Sequence, residues 1–306
     1  MQASKSAAAI FLLFVVFGVL APGVARSDGA PARITHIHGL YFGADGALHV
    51  PGHRGIVRYT NDHWTRLPGP AHDFAGFAAS RDVLYGSGHR EAGSSKAGAL
   101  GLKSSVDGGK TWRSNTRLDG SDFHIIAAGY LSAAVYLLNE APSAQLPAPG
   151  IYGKRATSEP WKRAAMRGLA GEVKAIAVHP SDTASLVVGT QSGLFLSRNS
   201  GDNFVLISSK RPVFAASFDP SGEAVWFGTY DRVAKLVRLD LEAGLTARDV
   251  ALPPLKGDAI AHIAFNPFNT VEMAIATARR NLFVSRDEGA NWIQLLNEGD
   301  PVRSTY

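Results

Sequence analysis

The 306-residue chain has no cysteine. No disulfide can form and no lipid-anchoring thiol is present. Stability has to come from burial alone, for which about 280 residues are ample. Charge of one sign is not concentrated either. Thirty-one Lys and Arg face 26 Asp and Glu, scattered along the chain, which argues against a nucleic-acid groove. Long hydrophobic runs are also scarce. The one candidate lies in "MQASKSAAAIFLLFVVFGVLAPGVARS", with Lys5 ahead of an apolar stretch from Ala7 to Leu20 and small residues at Gly23 and Ala25. That layout predicts a secretory signal peptide cleaved after Ala25. The run falls short of the roughly 20 apolar residues a spanning helix needs. The expected organisation is a signal peptide at 1–25, a linker at 26–33 and a single domain over 34–306. The mature chain is expected to be exported, periplasmic or secreted, with no membrane span and no nucleic-acid partner.

What the chain does have is glycine (32), proline (16) and many short apolar runs, the texture of an all-β protein rich in turns. It also repeats itself. "GLKSSVDGGKTW" (101–112), "GLFLSRNSGDNF" (193–204) and "NLFVSRDEGANW" (281–292) align without gaps, with Ser, Asp or Asn, Gly and an aromatic in register. Those positions are Ser105, Asp107, Gly109 and Trp112; Ser197, Asn199, Gly201 and Phe204; Ser285, Asp287, Gly289 and Trp292. Worn copies are "GIYGKRATSEPW" (150–161) and "GIVRYTNDHW" (55–64). Each copy is preceded by two strand-like runs and followed by one. First strands are expected near His36, Asp73, Asp122, Glu172, Pro212 and Ile260. Four strands per repeat at this spacing predict a β-propeller of six antiparallel four-stranded blades, with seven as the alternative. The fifth unit, "AVWFGTYDRVAKLVRLD", lacks the turn motif.

The S-x-D-x-G-x-T-W pattern resembles the Asp-box, or BNR repeat, of sialidases, sortilin-type receptors and a photosystem II assembly factor. The order "THIHGLYF…GHRGIVRY…DFAGF…LYGSGHR…SVDGGKTW…DFH" is similar to bacterial exported glycosyl hydrolase-like propellers. The resemblance implies the fold over nearly the whole mature chain. It does not imply an activity, because such turns occur in enzymes and non-enzymes alike. Asp107 reads as a turn residue: it accepts backbone N–H bonds, Gly109 supplies a positive φ, and Trp112 packs the turn on its sheet. Asn199 fills the same position because the task is to accept bonds.

In such a fold the starts of the innermost strands and the loops joining second to third strands converge on one face around the central channel. That places seven of the ten histidines together (36, 38, 53, 72, 89, 124 and 262), with Asp73, Asp122, Glu172, Lys174, Arg54 and Arg90. Loops 90–101 and 139–150 are expected to overhang the same face, where lids and binding residues tend to occur.

Three functions follow. The first is binding of a small ligand, glycan or divalent metal ion. His36, His38 and His124 are the candidate metal ligands, beside Asp73 or Asp122, and His53, Arg54, His89, Arg90, Lys174 and His262 are ligand-binding candidates. No H-E-x-x-H or other fixed-spacing motif names the metal. The second is a glycoside hydrolase or lyase acting on a glycan, an acidic one included. It would draw a carboxylate pair from Asp73, Asp122 and Glu172. The sialidase pattern is missing: there is no F/Y-R-I-P stretch, arginine triad or Tyr–Glu nucleophile pair. The third is a non-catalytic scaffold that holds a protein partner at the channel face.

Overall fold

The computed structural model describes residues 33–90, 98–115, 118–156, 159–208, 210–242 and 244–302. The expected leader at 1–25 and most of the linker lie outside them. The strands form six antiparallel sheets, each built from consecutive strands. Blade one is β1 (Tyr41–Phe42), β2 (Leu48–Gly52), β3 (Gly55–Thr60) and β4 (His63–Arg66). Blade two is β5 (Asp73–Ala79), β6 (Leu84–His89), β7 (Lys103–Ser105) and β8 (Arg113–Ser114). Blade three is β9 (Ile126–Ala128), β10 (Val135–Asn139), β11 (Gly150–Lys154) and β12 (Lys162–Arg163). Blade four is β13 (Val173–Val178), β14 (Leu186–Thr190), β15 (Gly193–Ser197) and β16 (Val205–Ser208). Blade five is β17 (Val213–Phe218), β18 (Ala224–Asp231), β19 (Val233–Asp240) and β20 (Thr246–Val250). Blade six is β21 (Ile260–Phe265), β22 (Met273–Thr277), β23 (Leu282–Ser285) and β24 (Ile293–Asn297), with a short fifth strand, β25 (Asp300–Pro301). The chain is a six-bladed β-propeller, and the blade without a turn motif folds like the others.

The core is divided among the seams. One apolar cluster fills the gap between each neighbouring pair of blades, from Ile56 against Phe74 and Phe77 between blades one and two round to Leu48 and Val50 against Ala274 and Leu296 between six and one. Second strands are covered on both faces, so β14 and β22 are buried along their whole length and read as unbroken apolar runs. Outer strands such as β8 and β12 are two-residue, exposed and basic, which blunts the sheet edges. The ring closes by packing and by two bonds from the incoming chain: Ile34 N–H to Gly299 O at 2.9 Å, and a 3.1 Å contact between His262 Nε2 and Ile37 O.

Two kinds of turn hold the face away from the histidines. In the first, between third and fourth strands, Ser105 Oγ donates to Asp107 Oδ1 at 2.8 Å and accepts from Gly109 N–H at 2.8 Å. Asp107 accepts from Thr111 N–H at 2.9 Å and from Thr111 Oγ1 at 2.6 Å. Gly109 has φ +90°, a conformation that favours glycine. The Thr111 hydroxyl and amide, then Ser105, hold the Asp107 carboxyl down at about 2. Ser197, Asn199 and Gly201 repeat the geometry, as do Ser285, Asp287 and Gly289. An amide oxygen at 199 does the work of the carboxylates at 107 and 287, so the role is acceptance.

The second turn joins first and second strands. Asp219 Oδ1 accepts from Gly222 N–H at 2.8 Å, and Asn266 Oδ1 accepts from Phe268 N–H at 2.9 Å. In blade four His179 takes this place, its Nδ1 accepting from Asp182 N–H at 3.0 Å. This D/N/H-P repeat (179–180, 219–220, 266–267) is visible in the sequence but escapes a search built on the first motif.

Candidate functional site

Near the histidine face, four first strands skip one residue in their pairing with the second strand, between Phe74 and Gly76, Val173 and Ala175, Val213 and Ala215, and Ile260 and His262. The skipped residues are Ala75, Lys174, Phe214 and Ala261. Such bulges re-aim a side chain and interrupt the ladder. Counting back equally from Leu40 and Ile126 puts His38 and His124 at the same position in blades one and three. This is also why β1 and β9 start later than expected: His36 and His38 precede Tyr41, and Asp122 and His124 precede Ile126, without regular pairing. His38, His124 and Lys174 line the central channel, a space of about 300 Å³ bounded by the first strands of all six blades.

The polar residues form a one-sided crescent at the channel mouth. In blade one the rings of His36, His53 and His38 are nearly parallel. Their centroids are 3.9 Å apart for 36–53, 4.9 Å for 38–53 and 5.7 Å for 36–38. Gly52 permits this, since a Cβ there would come within 2.5 Å of the His36 carbonyl oxygen. His53 Nε2 lies 3.6 Å from Asp73 Oδ1 of blade two. Asp122 Oδ2 of blade three lies 3.7 Å from His89 Nε2 and 3.6 Å from His124 Nε2. His124 Nδ1 in turn faces Glu140 Oε2 at 3.3 Å. In blade four Glu172 pairs with Lys174 at 2.6 Å and accepts from Gln191 at 2.9 Å. Blades five and six place other charged groups at these connections: Asp231 beside Arg232 in blade five, and in blade six Asp258, which accepts from Arg279 N–H, with Arg280 near His36. The backbone bond Gln191 N–H to Glu172 O recurs there between Tyr230 and Pro212 and between Ala278 and Ala259.

Burial keeps the inner imidazoles uncharged. His38 is pushed down to about 3, by burial first and then by His53, His262, His36 and His124. His262 is lowered to about 4 by burial, against the opposing bond to Ile37 O. His36 is lowered by burial, then by His53 and Arg280. Two buried polar atoms on the crescent, His38 Nε2 and Asp122 Oδ1, have no hydrogen-bond partner among the described residues.

The candidate residues therefore fall into two groups. His36, His38, His53 and Asp73 come together, and so do His89, Asp122 and His124, joined by Glu140, a loop residue that no motif singles out. His124, expected with His36 and His38 as a metal ligand, sits with Asp122 and Glu140 instead. As placed, no group of three or more His, Asp or Glu side chains among the described residues is arranged to hold a metal ion. Glu172 and Lys174 extend the crescent. Arg54 is exposed, and its carbonyl is held by the Arg66 guanidinium; Arg90 borders the undescribed stretch 91–97. His72 leaves the group, its ring edge-on to Phe74 and Trp112 at 5.9 and 6.4 Å. The loop at 139–150 is not a lid. Leu146 is buried in the seam between blades two and three, and Asn139 Nδ2 donates to Leu146 O and Ala148 O. The part of loop 90–101 that was expected to overhang the mouth falls mostly in residues 91–97, outside the described residues.

The fold and this mouth define a class, the β-propeller with a polar channel entrance. No protein-family model matches the chain, and no curated protein sequence matches it. Solved structures do. A GH74 xyloglucanase from Xanthomonas campestris aligns with a TM-score of 0.56 and 16% identity, over 87% of this chain and 46% of that one. The extracellular domain of a putative one-component system from B. thetaiotaomicron aligns at 0.55 and 16%, over 88% and 34%. An ancestral GH74 enzyme aligns at 0.54 and 11%, over 88% and 39%. The chain thus spans less than half the length of each, and at this identity the likeness is one of fold.

Proposed function

We propose that this is an exported Asp-box propeller that binds a small polar ligand, such as a glycan end, at the channel mouth over blades one to four. The observation that carries the reading is the one-sidedness of the crescent. Among the described residues the histidine–carboxylate contacts across the mouth all lie on blades one to three, with Glu172 and Lys174 continuing them on blade four, whereas blades five and six bring Pro212, Tyr230, Ala259 and Ala278 together with Asp231, Asp258, His262 and Arg280 in no such pairing. The unpartnered His38 Nε2 and Asp122 Oδ1 support it, since buried polar atoms are costly unless something satisfies them. Hydroxyl groups, which both donate and accept, match that pair. Export rests on the leader at 1–25.

Glycoside hydrolysis is the second reading, with two of Asp73, Asp122 and Glu172 as the working pair. It ranks lower because each already faces a basic group: His53, the pair His89 and His124, or Lys174. A protein partner at the mouth ranks third. Among the described residues, the exposed apolar side chains Leu131, Phe268 and Val271 lie on turns at the opposite end and Val233 stands alone on the β18–β19 turn, so no cluster of aromatic anchors gathers at the crescent.

The test is a thermal-shift screen of residues 26–306 against neutral and acidic oligosaccharides, repeated with Asp122→Asn. A ligand that stabilises the parent chain and not the variant, the two having equal melting temperatures when free, is the expected result. Binding that ignores both Asp122→Asn and His53→Gln would place the site elsewhere.

A further inference from the structure

We propose that the outer strand of blade four, β16 (Val205–Ser208), is a self-association edge that pairs with β16 of a second copy of this chain. An outer strand leaves one row of N–H and C=O groups unpaired, and proteins guard such edges with charge, brevity or a covering segment. Four of the outer strands carry charge: Arg66 in β4, Arg113 in β8, Lys162 and Arg163 in β12, and Arg248 and Asp249 in β20. Only β16 (VLIS) and β24 (IQLLN) carry none. The chain covers β24 itself. In β25 Pro301 pairs with Leu296 and Asp300 with Asn297, and Val302 N–H donates to Leu295 O at 3.0 Å. Among the described residues no strand covers β16, which ends its sheet.

The two edges are built alike. β16 meets β15 as β24 meets β23, each skipping one residue, Ile207 and Leu295. Ser208 therefore holds the place in β16 that Leu296 holds in β24, where β25 attaches. What differs is the apolar surface left in water. Val205 is 66% exposed and Leu206 43%, the only exposed large apolar residues adjacent in sequence among the described ones. An added strand satisfies the main-chain groups and takes both side chains out of water, as strand addition to a sheet edge does. The flanks select the occupant. Asp202 precedes the strand and Lys210 follows it, both exposed. Two copies of β16 related by a two-fold axis run antiparallel, so Asp202 of each copy comes to the end of the pair that holds Lys210 of the other. A strand of four residues gives a small interface, of the size at which association is weak and reversible. As the outermost strand of its blade, β16 pairs without covering the channel mouth.

The experiment is sedimentation equilibrium of untagged residues 26–306 at concentrations from micromolar to about 1 mM, with amide hydrogen exchange of β16 at both ends of that range. A reversible monomer–dimer equilibrium is expected, with exchange at the outward-facing amides of β16 slowing as concentration rises. Leu206→Lys and, separately, Val205→Lys should weaken dimerisation at least about tenfold, since each replaces an apolar contact with a charge. Val233→Lys, at an exposed apolar position on the β18–β19 turn, should leave it unchanged. Asp202→Lys and Lys210→Asp should each dissociate the dimer alone and restore it when mixed, because only the mixed pair sets opposite charges together at both ends. All these positions are exposed, so the variants should fold, with melting temperatures near the parent's as the check. A chain that stays monomeric throughout, or a dimer indifferent to Leu206→Lys and to the charge exchange, overturns the proposal. Outward-facing amides already protected in the dilute monomer would mean that a segment of the same chain covers the edge, which overturns it as well.

Discussion

His38→Leu should stabilise the free protein and abolish ligand binding. The ring places a buried nitrogen without a partner against a channel wall that includes Leu40, Ile126 and Ile263. An unsatisfied buried polar atom costs about 1–3 kcal/mol, and an apolar replacement of similar shape removes that cost. Against it stands the loss of the packed ring contact with His53, 4.9 Å between centroids, worth about 0.5–1.5 kcal/mol. The expected net gain is about 1 kcal/mol. In a domain of this size that is a rise of about 2–4 °C in Tm, read by calorimetry at pH 7.5 in the absence of metal. Such a gain is the mark of a residue kept for function at the expense of stability. A fall in Tm of similar size would show that His38 is a structural core residue and would refute the reasoning.

The turns give three more. Ser105→Ala removes the acceptor of the Gly109 N–H in a position only 2% exposed; a loss of about 2 kcal/mol, roughly 4–8 °C in Tm, is expected with ligand binding intact. Asp107→Asn keeps the Oδ1 bonds that Asn199 makes but gives up the carboxylate acceptor of the Thr111 hydroxyl, so a modest loss is expected at pH 7 together with a changed acid limb. The Asp107 carboxyl is depressed from 3.8 to about 2, so its contribution is complete above pH 3.8 and is lost as pH falls through about 2. The variant's stability should therefore be flatter over that window in pH-dependent denaturation. His179→Asn should match the parent, because Asn266 serves the same turn, while His179→Ala should cost about 1 kcal/mol in urea titrations; equal loss in both would remove the capping role.

The blades were legible because their signals are local. A serine, an acceptor two residues on and a glycine four residues on close the same turn wherever they occur, and the bonds around Ser105, Ser197 and Ser285 are set within seven residues. Blade five, without that motif, could be placed only by spacing and by its apolar runs. The site was legible as a face but not as a set of partners. The alternation of a strand puts His36 and Asp122 near the axis. The one-residue skip in the other four first strands, however, depends on how each first strand meets its neighbour, and no periodicity announces it. Glu140 and His72 exchanged roles for similar reasons. Loop 139–150 folds down because Leu146 finds a seam shared with the preceding blade, which brings Glu140 to His124; His72 finds Trp112, forty residues away. Both outcomes are tertiary contacts.

The ten histidines are themselves the best reporters of the central claim, that the mouth over blades one to four is the binding site. Ring ¹H–¹³C spectra of residues 26–306 should be recorded with and without whichever oligosaccharide shifts the melting temperature. The account predicts that resonances of His36, His38, His53, His89 and His124 move, while those of His49, His63 and His179 stay. Movement of His63 or His179 with the crescent histidines unchanged would contradict it.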